Sequence, residues 1–320
     1  MAENNGANRL LDEAIDLLIR LQDDRSNPVT QATINRWRAR SSRHEEIWQK
    51  LSGTHNVSGQ VLKEKNKAAR KADGKVTRRK LIIGGLAGLG ASTAGTLLLP
   101  DILLSARADH ITAKGELSRL TLIEGTKSVL GPDTAIALDF AASRRQIELL
   151  KGMAYFDVPK SIEQPLTVRA GHLSATAAQS VFEISEDAGF VNISVGAGVV
   201  EARDHTHTDQ AAQILEAGQW LRFDAASPVA YTRGLAEPQH TAAWRDGMII
   251  ADQEPVAVLV AKIGRWIPGR IVVLDPNVAQ QRVSGLFDLS DPHRALEAIV
   301  HPAGAQVRFL SRYLTVISPI

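Results

Sequence analysis

Leu81–Pro100 reads LIIGGLAGLGASTAGTLLLP, twenty residues without a formal charge. At about 1.5 Å rise per residue, a helix of that length covers roughly 30 Å, the depth of a bilayer's hydrocarbon core. Gly84, Gly85, Gly88, Gly90 and Gly95 would weaken such a helix in water, whereas a membrane span tolerates them. Arg70, Lys71, Lys75, Arg78, Arg79 and Lys80 precede the stretch, and no comparable cluster follows Asp101. The positive-inside bias then predicts a single-pass inner-membrane protein with a cytoplasmic N-terminus and a periplasmic C-terminal part. A buried soluble helix and a cleaved secretory signal are the competing readings. The second suits poorly a segment preceded by about eighty residues of patterned chain.

Thr77-Arg78-Arg79-Lys80-Leu81-Ile82 resembles a twin-arginine signal, with Arg78 and Arg79 as the paired export residues. They serve equally as members of the positive-inside cluster. The formal charge of +2 hides an asymmetry: residues 1–80 hold 17 Lys+Arg against 10 Asp+Glu, and the remainder holds 20 against 25. Anionic lipid is a simpler partner than nucleic acid for a basic excess beside a bilayer. Cysteine is absent, which excludes disulfides, thiol nucleophiles and Cys-based zinc sites.

Upstream, Leu10, Leu11, Ala14, Ile15, Leu18 and Leu21 recur at helical spacing and predict an amphipathic helix. Ser26-Asn27-Pro28 breaks it. A second helix is expected from about Thr30 to Arg40 with Ile34 and Trp37 on its apolar face. Ser42 followed by Glu45 is a capping-box pattern opening a third, which carries Ile47, Trp48 and Leu51. Residues 1–53 thus form a small helical domain, and 54–80 a Lys-rich tether. Trp37 and Trp48 are either its core or a partner contact.

Downstream the period changes to two. Leu120 and Leu122, Ile136 to Phe140, Ile147 and Leu149, Tyr155 and Phe156, Phe182 and Ile184, and Val191 to Val195 read as short strands. Turn signals such as Gly131-Pro132-Asp133, Lys151-Gly152 and Asp187-Ala188-Gly189 fall between them. An all-β domain over 110–235, a sandwich or a solenoid-like stack, is expected. Residues 240–320 mix helices (Pro255 to Trp266, and one from Asp291-Pro292) with strands (Ile271–Leu274, Arg282–Leu289, Val307–Leu310, Tyr313–Ile317), which describes a compact α+β domain.

Catalytic motifs are missing: there is no nucleophile elbow, phosphate loop, H-E-x-x-H or dinucleotide fingerprint. Asp204-His205-Thr206-His207 reads as a solvated turn rather than a metal site. No catalytic residue, metal or cofactor is expected.

Three segments together resemble one family, the FecR-type transmembrane anti-sigma regulators of Gram-negative cell-surface signalling. DEAIDLLIRLQ and INRWRARSSRHEEIWQKL resemble its sigma-binding helical domain, with Trp37, Ser42, His44 and Trp48 in its W-x(4)-S-x-x-H-x(3)-W arrangement, one residue shorter here. ITAKGELSRLTLIEGTKSVLGPDTAIAL, LLKGMAYFDV, PLTVRAGHLSATAAQSVFEI and ILEAGQWLRF resemble its β-rich part. The stretch from Ala242 to Val300 is similar to its C-terminal part and to the small domain at the N-termini of secretins and TonB-dependent receptors. The resemblance implies a non-enzymatic regulator that binds an extracytoplasmic-function sigma factor, with Leu18, Trp37 and Trp48 as contacts. It implies a signal from a TonB-dependent outer-membrane receptor importing an iron chelate, with Arg265, Trp266, Phe287 and Leu289 as candidate receptor contacts, and release by periplasmic and intramembrane proteases. Direct nucleic-acid binding is not expected. Some members self-cleave at a Gly-Thr pair. Here that place reads Gln179-Ser180, and Gln adopts positive φ less cheaply than Gly, so inefficient or absent cleavage is expected. The alternative is a twin-arginine-exported envelope enzyme or assembly protein.

Overall fold

In a computed structural model the described residues are 28–49 and 104–320, without 123–124, 142–143, 161–163, 207–210, 225–230 and 312. Leu10, Glu13, Ala14, Leu17 and Leu21 are also described, as helical. Contacts divide the chain into a smaller unit (1–100, 268–280 and 300–320) and a larger one (101–267 and 281–299). Helices are α1 (Pro28–Arg38), α2 (42–49), α3 (Val256–Ile263), α4 (Pro276–Gln280) and α5 (Pro292–Val300).

The larger unit is built on thirteen strands: β1 (His110–Ile111), β2 (Ser118–Thr121), β3 (Lys127–Leu130), β4 (Ala135–Ala141), β5 (Arg144–Val158), β6 (Leu166–Ala170), β7 (Leu173–Ala177), β8 (Ser180–Asp187), β9 (Phe190–Ala197), β10 (Val199–Asp204), β11 (Gln213–Glu216), β12 (Gln219–Asp224) and β13 (Tyr231–Leu235). One strand organises them. The first half of β5 pairs antiparallel with β4 and parallel with β6, and its second half pairs antiparallel with β3 and β8. Gly152, at φ 106°, marks the changeover. Lys151-Gly152 was expected to separate two strands. It is instead a bend inside one strand of 15 residues, the device by which a strand passes from one sheet to another. The first half of β5 leads through β6, β7 and β10 to β11, and the second through β8, β9 and β12 to β13.

Strand alternation points Ile147, Leu149, Phe156, Leu166, Val168, Phe182, Ile184 and Ile193 into a single core. Phe156 and Phe182 stack there with centroids 5.3 Å apart. Each such side chain contributes about 1.5–3 kcal/mol by leaving water. After β13 come two single turns (Pro238–His240 and Ala243–Asp246), β14 (Met248–Pro255) and α3. Strand β16 (Arg282–Asp288) pairs antiparallel with β14.

In the smaller unit β15 (Arg270–Val273) runs parallel to β18 (Leu314–Pro319), which pairs antiparallel with β17 (Ala305–Ser311). Ala14, Leu17, Ile34, Trp37 and Trp48 share a buried cluster with Leu310, Leu314 and Val316.

Two expectations are corrected. Among the described residues no helix is long and apolar enough to cross a membrane; α1, with 11 residues, covers only about 16 Å. The single-pass architecture and inner-membrane location give way to a short N-terminal helical region and a large β-rich body. The expected span at 81–100, the tether at 54–80, and Arg78 and Arg79 lie outside the described residues.

Candidate functional site

The N-terminal motif folds as an aromatic knot. Trp37 and Trp48 are 4 % and 6 % exposed, with ring centroids 6.4 Å apart, and the His44 ring meets Trp37 edge-on at 4.7 Å. Trp37 Nε1 donates to Glu13 Oε2 at 2.8 Å. Both tryptophans are therefore core, and Leu18 lies outside the described residues. Helix α2 starts at Ser42, so Ser41 takes the N-cap position and its carbonyl accepts from the His44 and Glu45 amides. The capping box expected at Ser42 is not formed: with Ser41 at the N-cap the third helical position is His44, whose Nδ1 lies 2.7 Å from Ser41 Oγ. Glu45 instead takes two hydrogen bonds from Arg38, at 2.7 Å each. Those bonds, with one from Gln49, hold its carboxyl at about 2. Asn35, Arg38, Ala39, Ser41, Ser42 and Glu45 line a shallow depression on this outer face.

The larger unit holds a second constellation that sequence reasoning did not single out. Strand β8 sends Phe182 and Ile184 into the sandwich core and Glu183, Ser185 and Asp187 to the other face. Register extends that face across the sheet as two rows, Tyr155–Glu183–Ser194–Trp220 and Met153–Ser185–Asn192–Arg222. Alternating polar residues ordinarily mark a solvated face. Here Ser185 and Asp187 are each 1 % exposed; Arg265 supplies a partner to Asp187, while Ser185 Oγ is buried without a hydrogen bond. Trp244 Nε1 and the Ala242 amide donate to Glu183, at 2.8 and 3.0 Å. The Arg245 guanidinium lies 3.6 Å from the centroid of the Tyr155 ring. Glu254 Oε1 accepts from Arg222 Nη2 at 3.0 Å and from Lys262 Nζ at 2.9 Å, while Arg222 Nε donates to Asn192 at 2.8 Å. Arg265 donates twice to Asp187 Oδ1, at 3.1 and 2.7 Å, and also to the Glu186 and Asp133 carbonyls.

Buried charges persist only when paired and hydrogen-bonded; Glu254 and Asp187 each have a cationic partner here, although Ser185 Oγ, Asp187 Oδ2 and Asn192 Nδ2 make no hydrogen bond. Desolvation pushes the Glu183 carboxyl above its ordinary value, with the Lys262 charge opposing. Burial pulls the Lys262 ammonium down, but Glu254, Asp187 and Glu183 together hold it above its ordinary value. Of the side chains expected at a receptor surface, Arg265, Phe287 and Leu289 are 6–7 % exposed and Trp266 is half-buried. Arg265 is an internal link.

Gln179 does adopt the left-handed backbone, at φ 54°. Ser180 Oγ donates to the Val199 carbonyl at 2.7 Å and accepts from the Val199 amide at 3.2 Å. The hydroxyl is thus engaged by the β9–β10 turn rather than left free to attack the Gln179 carbonyl. Asp204 closes a turn on Thr206, and His207 lies outside the described residues. Among the described residues no group of three or more His, Cys, Asp or Glu is placed to hold a metal.

Residues 108–201 match the FecR protein family, and residues 12–53 match a domain of unknown function, DUF4880. No curated protein matches the chain. Two crystal structures of a proposed anti-sigma factor from Parabacteroides distasonis ATCC 8503, at 1.65 and 2.50 Å resolution, share its fold with TM-scores of 0.58. Identity is 21 % over 66 % of this chain and 98 % of theirs.

Proposed function

Since this chain carries the domain of the FecR protein family, we propose that it is an anti-sigma regulator, a protein that acts by binding rather than by catalysis. Its helical region holds an extracytoplasmic-function sigma factor. Its β-rich body takes a signal from the signalling domain of a TonB-dependent receptor serving iron-chelate uptake, and proteolysis completes release. The observation that carries this reading is one chain holding a DUF4880 region ahead of a FecR domain. The likeness in fold to a proposed anti-sigma factor supports it. Trp37 and Trp48 are buried, which supports placing the partner contact of this reading on the polar outer face around Arg38 and Glu45.

Capture of purified extracytoplasmic-function sigma factors of the source organism by the full chain tests the reading. Retention of one of them, lost in Trp48→Ala, is the expected result. Failure of the wild type to retain any sigma factor would overturn the assignment.

A further inference from the structure

Arg265, 6 % exposed, grips two turns at one end of the sandwich. It bonds Asp187 and the Glu186 carbonyl at the β8–β9 hairpin, and the Asp133 carbonyl in the β3–β4 turn. Asp133 and Ala188 both hold positive φ, at 52°, so each turn is tight and has little room to absorb a shift of its anchor. The Arg265 carbonyl accepts from the Gly115 amide at 2.9 Å. Further along the same face of β8, Trp244 and Ala242 hold Glu183. The far end of β8 is the strained Gln179–Ser180 link. There Gln179 packs so closely on Gly198 that a Cβ at Gly198 would collide with the Gln179 carbonyl.

We propose that Arg265 is a positioning residue of a relay: a shift of segment 241–267 is delivered through Arg265 and Trp244 to β8, and along β8 to the Gln179–Ser180 link. The input rests on the regulator reading above, since a partner must shift that segment. The relay itself rests on geometry. A strand of eight residues is about 26 Å long, and close packing on both faces transmits displacement instead of absorbing it. A planar guanidinium reaches three acceptors at once, which an ammonium on a flexible stem does not reproduce. The charge is therefore conserved in Arg265→Lys while the fork is lost.

Native-state hydrogen exchange on the full chain tests the relay, with Arg265→Lys and, as a milder variant that keeps an aromatic ring, Trp244→Phe. At least tenfold faster exchange is expected at amides 185–190 in the first variant and around 183 in the second. In both, the Val199 amide that binds Ser180 Oγ should follow, with β6 unchanged. Faster exchange confined to the β8–β9 hairpin with Val199 unmoved would overturn the relay. An equal rise throughout the sandwich would overturn it too, as a plain loss of stability. A sigma-dependent reporter separates the two proposals. A wild type that never changes output on partner addition refutes the regulator reading and leaves the exchange result to decide the relay. A responsive wild type with an Arg265→Lys variant that binds its partner equally but transmits less supports both.

Discussion

Glu254 is the hub of the buried charges, and its removal should cost more than removal of the whole group. Its carboxylate, 4 % exposed, accepts from Arg222 (9 % exposed) and Lys262 (17 % exposed) through one oxygen. In Glu254→Gln both cations stay in place without their anion, and breaking a buried pair from one side costs about 3–5 kcal/mol. Replacing all three by apolar residues of similar volume (Arg222→Met, Glu254→Leu, Lys262→Met) removes the desolvation cost along with the attraction, which is often neutral or stabilising. Two effects survive in the triple variant, the first being that Glu183 loses the Lys262 charge that opposes its desolvation. The second is that Asn192 Oδ1 loses the Arg222 Nε donor, at about 1–3 kcal/mol for an unsatisfied buried acceptor. The expected order is a loss of about 3–5 kcal/mol for the single variant and less for the triple. The slowest-exchanging amides of the sandwich core report the opening free energy of this unit. A triple variant that loses as much as Glu254→Gln, or more, would refute the argument that the layer is maintained by pairing and not by net electrostatic gain.

Other outcomes follow from the same geometry. Because desolvation raises the Glu183 carboxyl, the native state binds its proton more tightly than the unfolded chain does. Its contribution to stability is full below the ordinary value near 4.5 and declines as pH rises through the folded value, by at most about 1.4 kcal/mol per pH unit. Urea melts of wild type and Glu183→Gln across pH 4–8 should show that decline only in the wild type, and a constant difference between them would count against it. Trp48→Ala should cost about 3–5 kcal/mol by opening a cavity, so far-UV helical signal and sigma capture fall together; lost capture with unchanged helicity would instead make Trp48 a contact. Gln179→Gly relieves a left-handed residue worth roughly 1–2 kcal/mol and gives part of it back in chain entropy, so the melting point should move up slightly or not at all. The wild-type chain should stay intact on gels, whereas a fragment beginning at Ser180 would show that Val199 does not restrain the hydroxyl.

What could be read in advance follows from how local each signal is. The alternation of Ile147 to Leu149, Phe182 to Ile184 and Val191 to Val195 identified strands, since period two needs only the strand itself. The helix expected at Pro255 to Trp266 appears as Val256–Ile263 for the same reason. Ser180–Asp187, SVFEISED, shows where this stops. Its alternation says one face is core and the other is not, but it cannot say that residues sixty positions later will return to cover the second face. Arg265, by the same token, looked like a surface side chain beside Trp266 because its partner lies 78 residues away. Glycine marks a turn and a bend alike, so Gly152 in the sequence does not separate the two. The Met248–Pro255 strand carries a weak sequence signal, since Asp252, Gln253 and Glu254 end its apolar run, and Gln253 sits at a left-handed irregularity (φ 48°).

The shared strand β5 also sets how this body can come apart. Two sheets joined only by loops can slide past each other or open like a book, one layer surviving the other. A single fifteen-residue strand woven into both forbids that. Any force that strips the first sheet must pull the same backbone out of the second, so the sandwich should fail in one step. A protease would meet either a closed body, cut only at its loops, or a wholly unravelled one, which makes the passage between those conditions all-or-none.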